Sequence, residues 1–181
     1  MSFPKVYADL VARFRVPSGF LLLAAFVWLA APTAASLAWG LPLSIVGLAI
    51  RAWAAGHLEK DMALAESGPY AWVRNPLYLG TLTIAAGFVV ASRRWELALL
   101  FAAVFALVYL PVVELEEQHL ANLFPAFASY KGRVPKLVPR PPRKPGATPF
   151  RWSVYRRNEE YRALAGFLLS AAVLLWKVLM L

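Results

Sequence analysis

Gly19 to Leu37 runs without a single charged residue, and about twenty apolar residues rising 1.5 Å each cross a hydrocarbon core of roughly 30 Å. Comparable runs follow at Leu41–Leu58, at Leu77–Ala91, from Trp95 through Leu110, and at Ala163–Leu181. Their recurrence narrows the fold class to an all-α integral membrane protein. About five transmembrane helices are expected, with a polar cytoplasmic segment before the last. With 60% hydrophobic and 16% charged residues in 181, the composition also lies outside the range of ordinary soluble domains.

The connections between runs carry most of the remaining information. Trp39, Gly40 and Pro42 predict a short uncharged turn between the first and second spans. From Glu59 to Val73 the chain is a polar loop, and the third run, Leu77–Ala91, is a little short for a span. Arg93 and Arg94 close it. The fourth run passes through Pro111, which predicts a bend because proline lacks the backbone donor and crowds the preceding turn. It continues into the polar Glu114-Leu115-Glu116-Glu117-Gln118-His119. Phe124–Arg162 is long, basic and proline-rich between Val134 and Pro149, and suits a membrane-surface segment drawn to anionic lipid. Residues 1–181 are expected to form one domain, with a motif region at about 45–140 and a C-terminal basic segment and last helix at 141–181. No internal repeat and no removable signal peptide are expected.

The formal charge of +9 does not point to nucleic acid, because the basic residues flank and follow apolar runs instead of forming a soluble basic face. Lys5, Arg13 and Arg15 predict a cytoplasmic N-terminus. Arg74-Asn75-Pro76 and Glu114–Glu117 then share the cytoplasmic membrane face, while Arg93 and Arg94 fall on the other. There is no cysteine, and the only histidines are His57 and His119, so thiolate chemistry is excluded and no multi-histidine metal cage is expected. Walker, dinucleotide, nucleophile-elbow and zincin motifs are absent.

The densest set of chemical signals is Gly68-Pro69-Tyr70-Ala71-Trp72-Val73-Arg74-Asn75-Pro76-Leu77-Tyr78-Leu79-Gly80. Asn75-Pro76 has the form of a helix start, asparagine at the N-cap and proline at the first position. A helix start also presents free N–H groups and partial positive charge to an anion, and Arg74 adds a forked cation. Tyr70, Trp72 and Tyr78 read equally as an interfacial belt or as pocket walls that attract a cation. Arg51, inside the second run, either snorkels to the interface or faces the interior and holds an anionic or carbonyl group. Glu114 and Glu117 share a helix face, and Glu116 is turned about 200° from Glu114. These carboxylates are either a solvated helix end or ligand acceptors. His119 reads as a surface residue.

Two ordered motifs carry a resemblance. Gly68-Pro69-Tyr70-x-x-x-Arg74-Asn75-Pro76-x-Tyr78-x-Gly80 is followed by Glu116-Glu117-x-x-Leu120-x-x-x-Phe124 and Tyr130-Lys131-x-Arg133-Val134-Pro135. Over about residues 45–140 the chain resembles the isoprenylcysteine carboxyl methyltransferase and phospholipid methyltransferase superfamily. That resemblance implies a multi-span enzyme that binds S-adenosylmethionine on the cytoplasmic side and methylates a lipophilic substrate. It implies cofactor contacts from Tyr70, Asn75, Pro76, Leu77, Tyr78 and Glu116, from Leu64 and Ala65 in the preceding segment, and from His57. Arg74 and Arg51 are the expected anchors of an anionic substrate head group. Asn75 stands where the family usually has histidine, and Val112 where the prenylcysteine enzymes carry a substrate-binding arginine. The expected partners are a lipophilic substrate and membrane lipids, with no nucleic acid and no metal. The alternatives are a sterol-type membrane reductase using NADPH and a non-catalytic scaffold that binds anionic lipid.

Overall fold

A computed structural model of the chain describes residues 3–142 and 148–180. It is 75% helical, with no strand among the described residues. The helices are α1, Lys5–Leu29; α2, Ala34–Ala55; α3, Pro76–Ser92; α4, Trp95–Leu123; α5, Phe127–Arg133; α6, Trp152–Arg157; and α7, Tyr161–Met180. Among the described residues α2, α4 and α7 are long and apolar enough to cross a membrane, and α1 makes a fourth if its two halves, bent by 52°, count as one span. The third expected span is α3, a 17-residue apolar helix of the shorter class. Only 22%, 22% and 17% of the most apolar windows of α2, α4 and α7 are buried, so most of their apolar surface faces outward, as hydrocarbon requires. The chain is an all-α membrane protein.

The first turn differs from the sequence expectation. It lies at Ala30–Thr33, and Trp39, Gly40 and Pro42 are inside α2. Pro32 disfavours helical backbone at Ala31 and ends α1. Thr33 then caps α2: its N–H donates to Ser36 Oγ at 2.9 Å while Ser36 N–H donates to Thr33 Oγ1 at 3.2 Å, a reciprocal pair of the capping-box kind. A capping signal in Thr33-Ala34-Ala35-Ser36 therefore outweighs the turn formers further on.

The chain forms two compact units. The first comprises residues 1–42, 85–119 and 169–181. Its core gathers Ala30, Leu37, Ala91 and Leu174, with Phe26 and Phe88 packed edge to face beside them at 5.2 Å between centroids. Gly40 is there because nothing larger fits: a Cβ on it would stand 2.4 Å from the Gly87 carbonyl oxygen. Pro111 disturbs α4 through a π-helical turn at Phe105–Tyr109, where the Leu110 N–H reaches back five residues to Phe105 O. Proline also leaves the Leu107 carbonyl without its usual donor, and the Tyr7 hydroxyl supplies one at 2.7 Å. The C-terminal carbonyls of α1 take cationic partners: Lys177 Nζ donates to Ala30 O at 2.7 Å and Arg94 Nε to Leu29 O at 3.0 Å. Both cations thus complement the negative end of a helix dipole.

The second unit comprises residues 43–84 and 120–168. Here a Cβ on Gly47 would meet Ile84 N at 2.6 Å and Gly80 O at 2.7 Å, and Ser44 Oγ donates to Ile84 O at 2.9 Å. Such small residues let two apolar helices approach to backbone contact. The C-terminus of α2 is capped from a distance, because Asn158 Nδ2 donates to Ala55 O and to Leu58 O at 2.8 Å each. Arg151 pairs with Glu59, and its N–H donates to Gly56 O at 3.0 Å.

Candidate functional site

The motif of residues 68–80 lies in the second unit. Gly68 has φ +57°, a left-handed conformation that a side chain resists. Pro69 then starts a short 3-10 turn, Gly68–Ala71, in which Pro69, Tyr70 and Ala71 are buried. Asn75 stands at the N-cap position of α3 and Pro76 is its first residue, with the Asn75 carbonyl accepting from Leu79 N–H at 3.0 Å. The expected helix start is where the sequence placed it.

Hydrogen bonds tie this motif to residues 130–140. The Tyr130 hydroxyl donates to Tyr70 O at 2.9 Å. Arg74 N–H donates to Pro135 O at 2.9 Å, and Arg74 Nη1 to Lys131 O at 3.2 Å. Asn75 Nδ2 donates to Lys136 O at 3.2 Å, and Arg140 N–H to Trp72 O at 3.0 Å. Residues 72–75 and the stretch after α5 are non-helical backbone whose polar groups need partners, and each side supplies some of the other's. The first family motif and the 130–135 stretch of the second are therefore two sides of one hydrogen-bonded knot.

Beside the knot is a cavity of about 220 Å³ lined by Trp53, His57, Gly68, Ala71, Trp72, Pro142 and Thr148. His57 is 8% exposed. Its Nδ1 lies 2.9 Å from Trp53 O; a carbonyl only accepts, so Nδ1 carries the proton and the Nε2 lone pair is left on the other edge of the ring. Gly68 lies against the face of the ring, where a Cβ would stand 2.7 Å from Cε1 and Nε2 and 2.8 Å from Cδ2. Glycine thus serves twice at this position, in backbone conformation and in room for the imidazole. Trp53 and Phe150 hold the ring edge to face at 6.4 and 6.0 Å.

Of the expected site residues, His57 lines the cavity. Tyr70 and Pro76 are buried, and Leu64, Ala65, Arg74, Asn75, Leu77 and Tyr78 are partly buried in the same unit. Glu116 belongs to the first unit, where it is exposed and its neighbour Glu117 is buried. Arg51 and Arg74, the expected substrate anchors, already hold protein groups. Arg51 Nε and Nη2 grip Glu160 at 2.5 and 3.1 Å, and Nη1 donates to Thr81 Oγ1 at 2.6 Å and Leu77 O at 3.2 Å. Of its two readings, the one facing inward to hold an anion and a carbonyl describes this geometry; the anion is Glu160. The sequence reading missed Trp53, Pro142 and Thr148. Trp53 had a signal, since it sits four residues before His57, in the last turn of α2.

Comparison with known families decides what this arrangement belongs to. Residues 25–126 match the phospholipid methyltransferase family. The chain belongs to that family. Among curated proteins it is similar to the cobalt-zinc-cadmium resistance protein CzcN of Cupriavidus metallidurans, with 36% identity over 56% of this chain and 46% of that protein. It is also similar to the nickel-cobalt-cadmium resistance protein NccN of Alcaligenes xylosoxydans xylosoxydans, with 33% identity over 56% and 47% respectively. The match thus spans about half the length of these relatives. No solved structure matches.

Proposed function

We propose that this phospholipid methyltransferase family member is an integral membrane methyltransferase that moves a methyl group from S-adenosylmethionine directly to a lipophilic acceptor. The observation that carries the reading is the cavity against the family motif, walled by Trp53 and Trp72 and edged by His57. Aromatic faces attract a cation, and S-adenosylmethionine carries a sulfonium. At about 220 Å³ the cavity is smaller than the roughly 300–1,000 Å³ of pockets that enclose a whole drug-sized ligand, so it suits one end of the cofactor. These residues fit the group. Bound there, S-adenosylmethionine would supply an electrophilic methyl, and the protein would supply position and exclusion of water. Tyr70, Asn75, Pro76, Leu77 and Tyr78 would complete the surroundings from the knot, with Leu64 and Ala65 from the preceding segment. Glu116 keeps the cofactor contact that the resemblance implies as a separate proposal, read by the affinity of Glu116→Gln.

The proposed orientation places the motif on the cytoplasmic side, following the basic residues of 124–162, of which Arg143 and Lys144 lie outside the described residues. Arg93 and Arg94 then fall on the opposite side, and Arg94 has a local reason to be there, as a cap on α1. The metal-resistance names of the relatives add a physiological readout: growth of a deletion strain on cobalt, zinc and cadmium salts with and without this gene.

Calorimetry on the purified full chain tests the reading. Binding of S-adenosylmethionine without binding of NADPH is the expected result, and the reverse pattern sinks it in favour of a reductase. Labelled methyl transfer into total lipid extracts, with identification of the product, then names the acceptor.

A further inference from the structure

We propose that His57 is the proton acceptor of the methyl transfer, a step that rests on the methyltransferase reading above. Nucleophilic attack by an amine or hydroxyl leaves a surplus proton on the acceptor atom, and a positioned base that removes it accelerates the reaction by about 10²–10⁴-fold. Among the described residues lining the cavity, His57 alone carries a basic side-chain nitrogen. Its state is set by the structure. The bond from Nδ1 to Trp53 O holds the tautomer whose Nε2 lone pair is available. No described group hydrogen-bonds Nε2, although the residue is more than nine-tenths buried.

The fold also packs the ring closely. Gly68, at φ +57°, makes room for the imidazole face, where a Cβ would stand 2.7 Å from Cε1 and Nε2 and 2.8 Å from Cδ2, and it lines the cavity with His57. Trp53 both accepts the Nδ1 proton through its carbonyl and flanks the ring with its indole. A histidine kept only for packing needs neither a fixed tautomer nor a bare edge on a cavity. As the acceptor atom's lone pair bonds to the methyl carbon and the carbon–sulfur pair stays with sulfur, the acceptor's proton passes to Nε2 and later leaves to water. An acceptor presented as a carboxylate has no such proton, so a role for His57 marks an acceptor atom bearing N–H or O–H.

The presence of just two histidines, with His119 exposed, makes a direct test possible on the wild-type full chain in detergent. Diethylpyrocarbonate acylates an unprotonated, accessible imidazole nitrogen, and mass spectrometry reads each site. Expected is reaction at His57 that S-adenosylhomocysteine slows at least tenfold, with His119 unaffected. A His57 that is inert in both states, or equally reactive in both, overturns the proposal. In a second arm His57→Asn, which retains an amide able to donate to Trp53 O, should lose at least 10²-fold in single-turnover transfer to the lipid extract the wild type labels, at saturating S-adenosylmethionine and well beyond any loss in cofactor affinity. His119→Gln is the control, with unchanged rate. Transfer by His57→Asn at the wild-type rate overturns the proposal, and so does parallel loss of binding and transfer, which makes His57 a cofactor contact only. A wild-type chain that binds no S-adenosylmethionine sinks the methyltransferase reading itself, an outcome calorimetry separates from the others.

Discussion

The two units of this protein use different means to hold helices together in an apolar setting. The first gathers small and aromatic apolar residues around Ala30, Leu37, Ala91 and Leu174, and the side chains of Tyr7, Arg94 and Lys177 reach along the chain to backbone carbonyls at its helix ends and bend. The second adds a side-chain ion pair, Arg51 to Glu160, and bonds into its non-helical segments, Tyr130 to Tyr70, Asn75 to Lys136, Asn158 to Leu58. The cavity lies within that second unit. Hydrocarbon gives helices no hydrophobic reason to associate, so both units add hydrogen bonds to close packing. A site that must keep an imidazole and two indoles in place requires directional bonds.

The contrast breaks most severely at Glu160. Replacing it by alanine leaves the Arg51 guanidinium without its carboxylate, a change expected to cost about 3–5 kcal/mol in denaturant unfolding of the detergent-solubilised chain. A loss below about 1 kcal/mol would show that the second unit does not depend on this pair. Gly40→Val probes the first unit in the same assay. Its side chain has no space against Gly87 and Ala91, and overpacking of this kind costs about 1–3 kcal/mol; full stability would mean that the contact is dispensable. Tyr130→Phe removes one bond of the knot and should lower stability by about 1 kcal/mol, with weaker S-adenosylmethionine binding as the sharper readout. If binding is unchanged, the knot is scaffold and not site. The smallest effect belongs to Arg133→Ala. Its ion pair with Glu66 is solvent-exposed and is expected to contribute about 0–1 kcal/mol, falling further in salt.

Much of this was legible in the residues. The apolar runs announced helices because a membrane admits few other solutions, and Asn75-Pro76 announced a helix start because capping is a local matter of one side chain and one missing N–H. The turn between the first two helices was misplaced because Pro42 and Gly40 have the composition of a turn, whereas Gly40 is required by a neighbour 47 residues away. The cavity was half legible. His57 and Trp72 stood near or within the motif, but Pro142 and Thr148 come from a proline-rich stretch with no signal of its own.

The sequence by itself determined the class of molecule, most of the helical stretches, the family and the position of its motif, since each follows from local composition or from ordered residues along the chain. Only the tertiary structure decided that Arg51 holds Glu160, that the first family motif bonds to the stretch from Tyr130 onward, and that Gly68 makes room for the ring of His57. Those facts depend on distances between residues far apart in the chain, and a charge, a hydroxyl or an imidazole acquires its role from the partner that folding brings to it.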